Sequence, residues 1–151
     1  MKKSISLSAM LLSVALNLPV VSVAHAHQVT QASDNTPVKV VYHVNDSNLA
    51  RIAMRNAENH LAAAPNTKIV FVAHGKGIDF LLNNAKDEKG AYAPQVAGLK
   101  EHGAEFRVCR NTLSGRNLND DAVIMEAEVV PSGVAEIAKL EAKEGFVYMK
   151  P

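Results

Sequence analysis

From Val38 onward, apolar runs of strand length alternate with segments of helical periodicity, and no other feature of this 151-residue chain limits its fold as tightly. Strand, helix and strand in succession describe a parallel sheet, because parallel neighbours can be joined only by a crossover that returns along one face. Strands are expected over Val38–Val44, Ile69–Ala73, Ala104–Val108, Ala127–Val130 and Phe146–Met149. The run from Ile69 to Ala73 has no polar member, as befits a central strand buried on both faces. Helices are expected over Ser47–Ala63, over Ile78–Asn83, from Pro94 to a stop at Gly103, and from Val134 through Leu140 to a stop at Gly145. A brief helix capped by Asn119 runs through Val123, Ile124 and Met125. The sum is βαβαβαβαβ, an α/β domain with a mostly parallel five-stranded sheet and helices on both faces.

Within that frame several segments carry specific expectations. In the first helix Leu49, Ile52, Asn56 and Asn59 lie at helical spacing beside Ala53, Ala57 and Leu61, with Asp46 or Ser47 able to cap it. Asn56 and Asn59 are expected near the inward face, satisfying backbone groups with their amides. The charged stretch Asn84–Ala93 is expected to be a solvated loop whose mobility suits a lid, and Asn111–Asp121 a polar loop with at most a helical turn. Glu105 and Arg107 alternate with Ala104, Phe106 and Val108, which describes a strand with one wet face and points to contact with another subunit. Aromatics are only 5% of residues and Trp is absent, so the core is expected to be aliphatic and a stacking platform for bases is excluded.

Residues 1–26 read as a secretory signal peptide. Lys2 and Lys3 form a positive start, an uncharged stretch from Met10 to Leu18 follows, and Ala24-His25-Ala26 is a small-x-small cleavage site. Ser8, Ser13, Asn17 and Pro19 dilute the stretch, leaving a strongly apolar part of about ten residues where a membrane span needs roughly twenty. The mature protein is therefore expected in the periplasm, with a flexible leader over 27–37, a domain over 38–151, and no membrane attachment after cleavage. Loss of the two lysines turns the formal net charge of +1 into one net negative charge. Without a basic excess or a visible basic patch, a nucleic-acid partner is excluded.

In a parallel α/β sheet all strands deliver their carboxyl ends to one edge, where ligands bind. The strand-end segments here are Asn45-Asp46-Ser47, His74-Gly75-Lys76-Gly77, Cys109-Arg110-Asn111-Thr112 and Pro131-Ser132-Gly133. Cys109, the single cysteine, has no internal disulfide partner in an exported chain, so it is either a buried inert side chain or a free thiol with chemistry of its own. A helix N-terminus with Arg110, or Arg116 or Lys76 across the crevice, would lower the thiol pKa into the reactive range. His74 is placed to orient the exchange or to act as a base, against the alternative of a structural histidine. His43, His60, His74 and Cys109 lack metal-ligand spacing, so no metal is expected. Gly75 and Gly77 lack the third glycine of a dinucleotide fingerprint, and no cofactor is expected.

Asn56-Ala57-Glu58-Asn59, His74-Gly75-Lys76-Gly77, Cys109-Arg110-Asn111-Thr112-Leu113, Val130-Pro131-Ser132-Gly133-Val134 and the terminal stretch from Gly145 to Pro151 together resemble the DsrE/DsrF-like family, also called YchN-like. The resemblance spans about residues 38 to 151. It implies a compact α/β sandwich of flavodoxin-like or YchN-like kind, assembly into small symmetric rings, here trimers or hexamers, and passage of sulfur as a persulfide on a cysteine. Cys109 matches that cysteine by position in the fold. An export signal is incompatible with tRNA thiolation and leaves the sulfur donor and acceptor unnamed. The expected function is that of a periplasmic sulfur carrier or sulfurtransferase-like protein holding sulfane sulfur on Cys109, with Arg110 stabilising the thiolate and His74 orienting the exchange. The alternative is a non-catalytic oligomeric module that binds a small ligand or a protein and keeps Cys109 as a structural residue.

Overall fold

The computed structural model describes residues 36–151. The expected signal peptide and the leader up to residue 35 lie outside the described residues. Strands β1 (Lys39–Asp46), β2 (Lys68–Lys76), β5 (Glu105–Cys109), β6 (Ala127–Val130) and β7 (Val147–Met149) form one parallel sheet in the order β6-β5-β2-β1-β7. Strands β3 (Lys86–Asp87) and β4 (Gly90–Ala91) make a separate two-stranded hairpin. The principal helices are α1 (Ala50–Ala63), α2 (Ala93–Glu101), α3 (Arg110–Gly115) and α4 (Gly133–Glu144).

The strand order explains how the helices divide between the faces. From β1 the chain steps in one direction to β2, β5 and β6, then returns across the whole sheet to β7 beside β1. Right-handed crossovers put the helices of a forward run on one face and the helix of the return on the other. On the first face, Val40, Tyr42, Val44, Ile69, Phe71, Ala73, Phe106 and Val108 pack with Ala50, Ala53, Met54 and Ala57 of α1, Val96 and Leu99 of α2 and Leu113 of α3. On the second, Ile137 and Leu140 of α4 cover Val41, Val70 and Val72, with Phe146 closing the cluster.

Several expectations change. The first-face core is aromatic at its centre: Tyr42, Phe71 and Phe106 are in-register neighbours on β1, β2 and β5, and their rings stack at centroid distances of 5.2 and 4.7 Å. Few aromatics suffice because parallel register brings them onto one row. The inward stripe of α1 is Ala50, Ala53, Met54 and Ala57, leaving Asn56, Asn59 and Ile52 exposed. Small side chains let the helix axis lie close to the sheet, and that packing outweighs the burial of one isoleucine. Asp46 supplies the cap, its carboxylate accepting the Asn48 N–H at 3.0 Å, and the first turn after it is 3₁₀. The segment Asn111–Asp121 begins as a helix, α3, and the brief helix after Asn119 is a 3₁₀ turn over Asp120–Ala122.

The stretch Asn84–Ala93 is pinned. Arg51 of α1 donates through Nε and Nη2 to both Asp87 carboxylate oxygens at 2.9 Å, through Nη2 to the Gly90 and Ala91 carbonyls at 2.7 and 3.1 Å, and stacks 4.2 Å from the Tyr92 ring centroid. Hydrogen bonding to Arg51 holds the Asp87 carboxyl at about 2. A bidentate guanidinium on a hairpin is the opposite of a free lid.

The wet face of β5 is also answered within the chain. Arg107 donates to Glu136 of α4 and, at 2.5 Å, to Glu105, so its charge lies beneath the helix on the second face.

Candidate functional site

Parallel pleating places His43 on β1, His74 on β2 and Cys109 on β5 on the second face, with Val41, Val70 and Val72, each at the carboxyl end of its strand. His43 is in register with Val72, so His74 is its diagonal neighbour, within reach of a ring. Gly133, the first residue of α4, lies over the gap between His74 and Cys109. A Cβ built there would stand 3.1 Å from Cys109 Cβ, 3.2 Å from His74 Cβ and 3.5 Å from the Ala73 carbonyl oxygen. A side chain there would crowd Cys109 and His74, and the neighbours would have to give by a few tenths of an ångström to keep the helix terminus this close. The segments after β5 and β6 leave for opposite faces, which makes the end of β5 a topological switch point.

Cys109 is 6% exposed. Burial pushes its thiol up, but the Gly133 N–H, the Thr112 hydroxyl and the Thr112 and Asn111 N–H groups outweigh burial and hold the thiol below its ordinary range. These donors come from the first turns of α4 and α3, where backbone N–H groups lack helical partners. Thr112 Oγ1 also accepts the Gly75 N–H at 3.0 Å, which leaves the hydroxyl proton for sulfur. Gly75, at φ 58°, turns the end of β2 into that position. The expected helix terminus is therefore present, while Arg110 is placed elsewhere: its guanidinium is bidentate on Asp120 at 2.6 and 2.6 Å and half exposed. Arg116 is likewise paired, with Asp79.

His74 directs Nε2 at His43 Nε2, 2.6 Å away, and the two rings stack with centroids 4.6 Å apart. His43 Nδ1 in turn meets the Tyr148 hydroxyl at 2.6 Å. Burial, the His74 ring and the Lys150 ammonium lower the His43 pKa to about 4; burial and Lys150 also lower that of His74. Both shifts favour the neutral ring. His60 lies on the other face, 3.4 Å from the Tyr42 hydroxyl. Among the described residues no group of three or more His, Cys, Asp or Glu side chains is placed to hold a metal ion.

On the carboxyl edge beside Cys109 opens a cleft of about 780 Å³, lined by Asp46, Ser47, Gly75, Lys76, Asn111 and Thr112 among others. Three of the four expected strand-end segments contribute to it. Thr112 belongs both to the cleft and to the donors around the thiol. A mostly apolar groove of about 510 Å³ between α1 and α2, lined by Leu61, Pro94 and Leu99, contains none of these side chains.

Sequence reading reached Cys109 and His74 and placed Thr112 and Gly133 in strand-end segments, but it gave Thr112, Gly133 and Tyr148 no role of their own and His43 none in a pair. An S/T residue three places after a strand-end cysteine was the available signal for Thr112; the others need the sheet register.

Replacing Gly133 by Ala is expected to lift the α4 N-terminus from the thiol. Alkylation of Cys109 by iodoacetamide should then slow several-fold at neutral pH as the thiol pKa rises. An unchanged pH profile of alkylation would show that the Gly133 N–H is not what acidifies the sulfur.

The model of the DsrE/DsrF-like family matches residues 38–151. Among solved structures the chain is similar to MTH1491, a protein of unknown function from Methanobacterium thermoautotrophicum, at 27% identity and a TM-score of 0.67, covering 76% of this chain and 99% of that one. It is also similar to the ychN protein from E. coli, at 14% identity and a TM-score of 0.62 with the same coverage, a likeness of fold. No curated protein matches. The family match runs from the start of the first strand to the end of the chain and takes in the thiol, the helix terminus above it and both histidines: the chain belongs to the DsrE/DsrF-like family.

Proposed function

We propose that this protein is an exported sulfur carrier, sulfurtransferase-like in its chemistry, that holds sulfane sulfur as a persulfide on Cys109. The family is associated with sulfur relay in general. The single observation that carries the finer reading is the thiol itself, held acidic by four donors from two helix starts and the Thr112 side chain. A thiolate is the nucleophile in sulfur exchange, and donors that stabilise it also stabilise the persulfide anion that follows. In the transfer the Cys109 thiolate attacks the outer sulfur of a donor persulfide R–S–SH. A bond forms between Sγ and that sulfur, the donor S–S bond breaks, and its electron pair departs with the R–S thiolate. Backbone amides take the stabilising role expected of Arg110, and His74 stands beside the exchange.

The Lys2 and Lys3 start, the apolar stretch and the Ala24-His25-Ala26 site support export to the periplasm. Among the described residues no helix is long and apolar enough to cross a membrane. Assembly into trimers or hexamers belongs to the same proposal. The polar face of β5 no longer argues for it, since Arg107 is paired within the chain.

The 6% exposure of Cys109 favours a second reading, in which the thiol only packs and the neighbouring cleft holds a small ligand. Intact-mass measurement of the native protein after polysulfide treatment separates the two. The first reading expects added sulfur that a reductant removes and that Cys109→Ala lacks entirely. A native protein that takes up no sulfur while its cleft stays open would establish the second.

A further inference from the structure

Tyr148, His43 and His74 form an unbroken row of hydrogen bonds that ends beside Cys109, and the carrier reading gives this row no task. Tyr148 is 40% exposed, so one end meets water. Each contact holds a single hydrogen. If Tyr148 donates to His43 Nδ1, then His43 carries its proton on Nε2 and donates to His74 Nε2, which fixes the His74 proton on Nδ1. His74 Nδ1 has no hydrogen-bond partner among the described residues. The row thus presents one proton at the end nearest Cys109 and takes protons from solvent at the other.

We propose that Tyr148, His43 and His74 are a proton relay that supplies the leaving thiolate during sulfur transfer at Cys109, with His43 as a positioning residue that sets the His74 tautomer. The inference rests on the reading of Cys109 as a persulfide carrier. Its chemical need is plain. When the donor S–S bond breaks, the R–S thiolate is released beside a persulfide on Cys109, itself more acidic than a thiol, in a pocket where Cys109 is 6% exposed. Once that persulfide gives up its S–H proton, two sulfur anions would stand side by side with little solvent and repel strongly, unless R–S⁻ is protonated. In the relay, R–S⁻ takes the His74 Nδ1 proton, His74 Nε2 takes the proton of His43 Nε2, and His43 Nδ1 takes that of the Tyr148 hydroxyl. Water reprotonates the exposed phenolate. The Cys109–S–SH proton passes to the hydroxide left where water reprotonated Tyr148, so the products are R–SH and the Cys109 persulfide anion, which the Gly133, Thr112 and Asn111 donors receive, and protons and electrons balance without an oxidant or reductant.

The surroundings favour a neutral relay over an ordinary histidine acid. A free imidazolium would have to form next to the Lys150 ammonium and out of water, and both effects oppose it at His43 and His74. A tautomer shift moves a proton the length of the row without leaving either ring charged. Among the described residues, the groups that act on the charge of His43 are Tyr148, His74 and Lys150; His74 faces His43 and Lys150, with Cys109 across Gly133.

The test compares two reactions of the same sulfur in the purified chain. Cysteine persulfide is the sulfur donor, and uptake is followed by intact mass; iodoacetamide is the control, because iodide leaves without needing a proton. His43→Phe and Tyr148→Phe are each expected to slow sulfur uptake about tenfold, with alkylation within about twofold of wild type. Uptake by wild type should also be slower in deuterium oxide, and Tyr148→Phe, which removes one half-exposed hydroxyl and leaves the ring, should lose most of that isotope effect. Equal slowing of uptake and alkylation would mean that the row only supports the fold near Cys109, and unchanged uptake in both variants would mean that it moves no proton; either result overturns the relay while leaving the carrier intact. Wild type that takes up no sulfur overturns the carrier reading and the relay with it.

Discussion

Gly77→Ala is expected to cost about 4 kcal/mol of stability, a large part of the 5–15 kcal/mol that holds a domain of this size together. A Cβ at Gly77 would stand 2.0 Å from the Val44 carbonyl oxygen, 2.5 Å from the Val44 carbonyl carbon and 2.8 Å from Asn45 Cα. These atoms are backbone of β1, at the point where its register with β2 shifts between Val44 and Asp46, and no side-chain rotation can relieve them. The turn from His74 to Gly77, closed by the Gly77 N–H on the His74 carbonyl at 2.9 Å, must move outward or β1 must leave β2. Either displacement reaches His74 and the Gly75 N–H that positions Thr112. Gly75→Ala is the control: its Cβ meets only the Asn45 oxygen at 3.7 Å, and the strain comes from φ 58°, worth about 1–2 kcal/mol. Thermal unfolding followed by circular dichroism should put Gly77→Ala about 15 °C below wild type and Gly75→Ala only about 5 °C below. Equal melting of the two variants would show that close approach is not what requires glycine at position 77.

The contrast between those glycines shows what could be read before the fold was known. His74-Gly75-Lys76-Gly77 is legible as a flexible turn after a strand, and the strand itself is legible because five apolar residues in a row leave little else to form. Strand β6 occupies the expected Ala127–Val130 without change. Which glycine answers a backbone angle and which answers a neighbour 33 positions earlier is a property of register, and periodicity contains no register. The same reason hid the histidine row. His43 and His74 are 31 positions apart, and His43 and Tyr148 are 105 apart, so nothing local marks them as partners. Cys109 was accessible to residue chemistry alone, since it is the single cysteine and ends a strand. What acidifies it was not: charged side chains announce themselves in a sequence, and backbone amides do not. Arg110 stood next in the chain, yet Asp120 claims it, while Gly133 arrives from a helix that crosses the opposite face.

Glu136→Ala is expected to remove about 3 kcal/mol, and replacing Arg107 and Glu136 together by Leu is expected to restore stability to within about 1 kcal/mol of wild type. Both side chains are nearly buried, Arg107 at 13% and Glu136 at 11% exposure, and Arg107 Nε has no hydrogen-bond partner among the described residues. Removing Glu136 leaves the nearly buried Arg107 with little water and only the more exposed Glu105 as partner, whereas removing Arg107 and Glu136 together also removes the desolvation penalty. The outer pairs of the network, Lys68 with Glu105 at 3.3 Å and Lys139 with Glu144 at 3.2 Å, are exposed and contribute little. Urea unfolding of the two single variants and the double gives the coupling directly. Single variants that each melt like wild type would show the pair to be indifferent. Function is tied to the same pair, because Arg107 lies two residues before Cys109 on one face of β5 and Glu136 lies one helical turn after Gly133. Their bond ties the first turn of α4 to β5 next to the thiol. Alkylation of Cys109 in Glu136→Ala should therefore slow along with the loss of stability, and in the Leu pair it should recover, since an apolar contact at that turn holds Gly133 in the same place.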